Sequence, residues 1–199
     1  MADARYLSCA DTAKLVRKAL AKAFPGIKFT VRSSTYSGGA SIRVGWTDGP
    51  LAKQVEAVTS PYAGGGFDGM IDMAYSSYSW LMPDGTATFA KTRGTAGSMG
   101  TVPSDQQLQP SFKAELVRMG ADYVFCEREY SEAFYRRAFA RACERYGQDP
   151  ASFKVLPSSF GRPYIDRATD RVVDAHFYMS DLVHQELSRR AIVRSKVEA

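Results

Sequence analysis

Two hydrophobic periods that no single element can hold meet at Pro25-Gly26. Before that point, DTAKLVRKALAKAF repeats at helical spacing. Ala13, Val16, Leu20, Ala23 and Phe24 make one face, and Lys14, Lys18 and Lys22 with Arg17 make a basic one. After it, the period is two. Ile27, Phe29 and Val31 alternate with Lys28, Thr30 and Arg32, and Ile42, Val44 and Trp46 alternate with Ser41 and Arg43. The spacing predicts a helix capped by Ser8 or Asp11, then strands over Ile27–Ser33 and Ser41–Trp46 joined through SSTYSGGA. Proline ends the helical ladder and glycine supplies the turn beyond it.

The same reading continues along the chain. Asp48 and Pro50 suit the start of a short helix, Leu51–Thr59. SPYAGGGFDGMID reads as a glycine-rich loop, and MAYSSYSWLM and TATFAK as strands around Pro83-Asp84-Gly85. Thr92–Pro110 is rich in Gly, Ser, Thr and Gln and reads as a linker. Beyond it come a strand in ADYVFCERE, a helix that Ser131 caps and Gly147 ends, and a short strand in FKVLP. PYIDRATDRVVDAHFY reads as a hairpin around Ala168-Thr169-Asp170, and Ser180 or Asp181 opens a final helix to about Arg194. The predicted class is α+β. A helix packs on antiparallel strands in a first domain (5–92), a linker follows (93–110), and the second α+β domain (111–199) holds a hairpin and two helices.

Composition excludes several functions. Lys+Arg 26 against Asp+Glu 21 gives a net charge of +5, which rules out a whole-protein mimic of DNA and permits contact with nucleic acid or acidic protein. No apolar run approaches the roughly 20 residues of a membrane helix, and the N-terminus lacks a basic-then-apolar leader. Cys9, Cys126 and Cys143 form no CxxC and read as reduced thiols, so the expected location is cytoplasmic.

One long stretch is unusual: KFTVRSSTYSGGASIRVGWTDGP, then GGGFDGMID, preceded by YLSCADTAKLVRKALAKAFPG. Over roughly residues 5–80 it resembles the large polyvalent protein-associated domain 29 family. Ser33–Gly39, Trp46–Pro50 and Phe67–Asp72 are its most specific parts. The resemblance implies a setting in phage and conjugative elements, whose polyvalent proteins help an invading element establish itself. It carries over no catalytic residue. The second half resembles no family we can name.

The residues themselves offer little for catalysis. Ser37–Gly39 and Gly64–Gly69 lack the GK[ST] of a phosphate-binding loop and read as turns. Asp68 and Asp72, with Asp48 nearby, suit capping and turn roles better than a cation site. Ser37 and Ser98 form no G-x-S-x-G. A nucleophilic pairing of His176 or His184 with Cys126 or Cys143 is conceivable, but Cys143 lies among Ala138, Phe139 and Ala142, which reads as packing. No metal or cofactor is expected. The stronger signal is basic. Lys28, Arg32 and Arg43 share one predicted sheet face with Tyr36 in the adjoining loop, and Arg136, Arg137, Arg141 and Arg145 recur on one helix beside Glu132 and Glu144. Arg145 has a candidate partner in Asp149. Tyr62, Tyr75, Tyr78 and Trp80 are candidate interface aromatics.

Three functions follow as expectations. The first is a mobile-element protein that blocks a host defence complex, such as a CRISPR surveillance complex or a restriction enzyme, by binding without catalysis. The second is a nucleic-acid-binding module. The third is an enzyme acting on a nucleotide or a host protein.

Overall fold

Ser8 starts the first helix. In the computed structural model, which describes residues 4–91, 111, 113–157, 163–174 and 176–189, its Oγ accepts from Asp11 N at 3.1 Å. Helix α1 (Cys9–Ala23) buries Ala13, Val16 and Leu20 completely, the apolar face that the spacing predicts. The helix ends at its cap Phe24 (φ −128°, ψ 69°), and beyond Pro25 Gly26 takes φ 86°, a left-handed conformation that turns the chain. The chain is α+β and divides into two units. The first holds the described residues of Met1–Gly45 and Ala52–Glu127, and the second those of Trp46–Leu51 and Arg128–Arg194.

The first unit contains β1 (Arg5–Tyr6), β2 (Thr30–Tyr36), most of β3 (Gly39–Thr47), α2 (Ala52–Thr59), β4 (Gly65–Asp68), β5 (Met73–Ser76), β6 (Tyr78–Leu81), β7 (Ala87–Lys91), β8 (Glu115–Arg118) and most of β9 (Tyr123–Glu129). Strands β2 and β3 pair antiparallel from Thr30↔Gly45 to Tyr36↔Gly39. The hairpin is therefore longer and its turn tighter than predicted: TYSGG belongs to strand ends around Ser37-Gly38, with no eight-residue loop. β9 lies beside β3 in this sheet. Val31, Ile42 and Val44 are buried while Arg32 and Arg43 are exposed, the alternation that period two demands. α1 lies against β2, and Arg17 Nη2 donates to Val31 O at 2.6 Å. A second sheet has the order β1-β8-β6-β7. The turn of β6 and β7 closes with Met82 N donating to Thr86 O at 2.8 Å. The Thr86 N–H and then Lys22 hold the Asp84 carboxyl down at about 2.

One expectation is corrected here. The glycine-rich segment forms the β4–β5 hairpin, with Gly65↔Ser76 to Asp68↔Met73 in register. β8 is hydrogen-bonded between β1 and β6 within the first unit. The predicted linker, 93–110, lies outside the described residues.

Backbone meets backbone at Met119–Asp122. Gly64 N donates to Ala121 O at 2.7 Å and Gly65 N to Asp122 O at 3.2 Å. Asp122 N donates to Ala40 O at 2.8 Å, and Asp122 Oδ2 accepts from Ala40 N at 2.9 Å. Gly120 N donates to Thr12 Oγ1 at 3.2 Å. These approaches leave no room for side chains. A Cβ on Gly64 would overlap the Met119 carbonyl, one on Gly120 the Leu7 carbonyl, and one on Gly39 the Asp122 carboxylate.

The second unit packs α3 (Glu132–Arg145) against α4 (Met179–Ser188). Phe134, Tyr135, Phe139, Cys143, Leu182 and Leu187 are among the residues of its core. The hairpin expected around Ala168-Thr169-Asp170 does not form. β11 (Tyr164–Ile165) pairs back with β10 (Val155–Leu156), and β12 (Val172–Asp174) pairs forward with β13 (Phe177–Tyr178). α4 is described to Ser188, and its expected extension to Arg194 lies outside the described residues. Asp48 does not cap α2 as expected but holds Ser131, the N-cap of α3. Its carboxylate accepts from Ser131 N at 2.8 Å and Ser131 Oγ at 2.6 Å, and Ser131 caps α3 through Phe134 N.

Arg128 and Glu186 are buried charged side chains of this unit. The Arg128 guanidinium donates to the carbonyls of Asp48 (2.6 Å), Leu187 (3.0 Å) and Gly49 (3.1 Å) and lies over the rings of Tyr130 and Phe134. Burial lowers its pKa, and three carbonyls offset that cost. Arg128→Leu is expected to destabilise the chain by about 3 kcal/mol, since it orphans buried acceptors. Arg128→Lys is expected not to restore the loss, because an ammonium lacks the planar fork. Urea unfolding checks both. Gly64→Ala is expected to cost about 1–3 kcal/mol by overpacking. Gly69→Ala, with open space around it, is expected to change little. Equal costs would mean that the close approach does not constrain the fold.

Candidate functional site

The outer face of the β2-β3-β9 sheet gathers part of the predicted basic set. Arg32 and Arg43 are directly paired in register, so both project from the same face. Arg43 Nη1 bonds Glu127 Oε1 at 2.8 Å, and its guanidinium lies 5.6 Å from the Phe125 ring centroid. Tyr123 and Phe125 stack at 5.9 Å with 27° between their planes, and they are 38% and 44% exposed. Tyr36, at the end of β2 and on the Arg32 face by parity, is 52% exposed. Lys28 is exposed too, but β2 begins at Thr30, so Lys28 sits in the approach to the sheet. Among the described residues, no acid pairs with Arg32.

The sequence reading missed Tyr123 and Phe125. Their signal was present: in Tyr123–Glu129 they alternate with Val124 and Cys126. Because both sets are apolar, the pattern does not say which set faces water. The structure decides it, since Cys126 Sγ turns to Thr59 Oγ1 at 3.3 Å while Phe125 meets Arg43.

The arginines of α3, in the second unit, are largely engaged at home. Arg136 pairs with Glu132 at 2.8 Å. Arg145 pairs at 2.7 Å with Glu186, a buried side chain on α4, and not with Asp149. Arg137 lies 5.8 Å from the Phe134 ring centroid. Arg141 is exposed and has no ion pair among the described residues. This helix therefore offers less free charge than its sequence suggests.

The β4–β5 hairpin carries a run of exposed apolar side chains. Phe67 (53%), Met70 (75%), Ile71 (53%) and Met73 (60%) are all exposed. Asp68 is buried, and its Oδ1 accepts from Met70 N at 3.0 Å. That is the turn role expected for it, and Asp72 adopts φ 52°. Gly66 faces Tyr75 across the hairpin, where a Cβ would meet the ring. Beside it lies a cleft of about 460 Å³ that Tyr36, Tyr75, Tyr123, Arg118 and Asp122 help to line. The aromatics expected at an interface are differently placed. Tyr62 is core, 2% exposed, with its hydroxyl donating to Gly85 O at 2.8 Å, and Tyr75, Tyr78 and Trp80 are half-buried.

The thiols do not suit nucleophilic roles. Burial pushes Cys9, Cys126 and Cys143 up, away from the thiolate. Cys143 is sealed in the second unit's core. His176 and His184 both line an open cleft in that unit with Asp181. Among the described residues no three His, Cys, Asp or Glu side chains gather as a metal site, and no helix is long and apolar enough to cross a membrane. Ser98 lies outside the described residues.

The family model of large polyvalent protein associated domain 29 matches residues 7–131. No curated protein and no solved structure matches the chain. The matched span runs well past the roughly 5–80 of the resemblance and takes in β8 and β9. Those strands pair with β6 and β3 in the first unit. A chain cut after Lys91 would leave both sheets with an open edge. It is expected to show no cooperative thermal transition by circular dichroism, and a sharp one would mean that 1–91 folds alone.

Proposed function

We propose, since the chain belongs to the large polyvalent protein associated domain 29 family, that it is a mobile-element protein acting by binding and without catalysis. Its target in this reading is a host defence complex in the cytoplasm, a protein or ribonucleoprotein assembly of the CRISPR or restriction type. Family membership supports the mobile-element setting. One observation carries the binding mode: four large apolar side chains, Phe67, Met70, Ile71 and Met73, stand in water on one hairpin.

Apolar surface left in water at a hairpin tip is a cost to the free chain that a partner removes. Each of these side chains, between 53% and 75% exposed, recovers roughly 1–2 kcal/mol when covered. Together they supply several of the roughly 8 kcal/mol that a micromolar complex needs. Polar contacts around the tip supply the remainder.

The test is capture followed by titration. The tagged chain is passed over host lysate and the retained proteins identified, and the defence activity is then titrated with purified chain. Inhibition is expected to saturate at a fixed molar ratio, and Met70→Asp with Ile71→Asp is expected to weaken capture by tenfold or more, about 1.4 kcal/mol or above. Inhibition that keeps accumulating with time at substoichiometric amounts would instead mark an enzyme. Capture of no defence component would end the reading.

A further inference from the structure

We infer that the outer face of the β2-β3-β9 sheet is a binding site for single-stranded nucleic acid, with bases stacked on Tyr123 and Phe125 and phosphates held by Arg32 and Arg43. Its rings and arginines stand on the sheet strands, the cleft at its end is also lined by Ile71 and Met73 of the hairpin, and its test needs no host component.

The rings come first. Tyr123 and Phe125 stand on one strand of a sheet, stacked on each other at 5.9 Å and exposed. Packing against a sheet fixes their orientation, so a base that stacks on them orders little more of the protein. Tyr36, two strands away at the same end of the sheet, adds a third exposed ring. Tyr36 and Tyr123 both line the cleft of about 460 Å³ where the face meets Tyr75 and Arg118. A track of rings ending in a cleft matches a flexible strand with its bases turned out.

The charge chooses the same occupant. Arg32 has no acid partner among the described residues, and Arg43 gives one N–H to Glu127 while its side chain stays 63% exposed. Lys28 stands at the approach. Two or three cations fall short of the roughly six to ten phosphate contacts by which proteins commonly hold a duplex. A duplex would also hide its base faces from the rings. Stacking contributes about 1–3 kcal/mol per base and needs no particular sequence. The face is therefore suited to unpaired bases, with arginine fixing the backbone beside them.

The experiment is fluorescence anisotropy of a labelled oligothymidylate of about twelve nucleotides, using the full chain. Binding is expected at low salt, with a duplex of the same length bound at least tenfold more weakly. Tyr123→Ala with Phe125→Ala is expected to weaken binding by about tenfold or more. Tyr123→Phe and Phe125→Tyr keep a ring at each position and are expected to stay within about twofold. Arg32→Ala is expected to flatten the dependence of log affinity on log salt by about 0.7. Absence of binding by the native chain, duplex bound as tightly as the single strand, or unchanged binding by the folded double-alanine variant would each overturn the inference. The hairpin reading would stand in all three cases.

Discussion

Close approach of bare backbone at Met119–Asp122 sets the geometry of the first unit. Leu7, Ala40, Gly64 and Gly65 all reach this short segment through main-chain atoms. Side chains would hold these runs several ångströms apart. Glycine lets carbonyl and amide groups meet, so each buried polar group finds a partner. From this knot β8 runs back into one sheet and β9 runs out into the other. The rings of β9 face outward, and the cleft beside them has its shape, because the knot leaves no slack. The glycine-rich run of the sequence is thus a spacer for backbone contact, and its amides bond carbonyls where a phosphate-binding loop would leave them free.

Long periodic segments were legible from residue spacing alone. α1, β3, β9 and α3 all appear where hydrophobic alternation or a capping serine places them. The failures share a physical origin. β1 and β13 are two residues long, too short to show any period. β4 begins with two glycines, which have no side chain to alternate. β8 is separated in sequence from β1 and β6, and pairing at such range leaves no local mark. The hairpin expected around Ala168-Thr169-Asp170 has a real turn, with Thr169 N donating to Asp166 O. Its flanking strands simply find other partners, because turn chemistry does not specify which strand comes next.

The candidate residues divide in the same way. Parity placed Arg32 and Arg43 together correctly. It could not show that Glu127 would meet Arg43, or that Glu186 would meet Arg145. Residue type alone did not separate Tyr62 in the core from Phe67 in water. Exposure of an aromatic depends on what the chain brings over it, and that is a tertiary fact. A net charge of +5 is likewise no guide to a binding face. Several of the arginines that suggested one are neutralised by neighbours, and a single arginine on the sheet without an acid partner tells more about ligand chemistry than the sum does.

Two of the four exposed apolar residues of the β4–β5 hairpin are methionines. Methionine is unbranched and polarisable, and it reshapes itself to the contour it meets. A contact made of branched or aromatic groups would demand one matching socket. Under the binding reading proposed above, a tip built around Met70 and Met73 would tolerate small changes in that socket. The same sulfurs are open to oxidation, and conversion to sulfoxide would turn a greasy tip polar. Breadth of recognition and vulnerability to peroxide then follow from one choice of side chain.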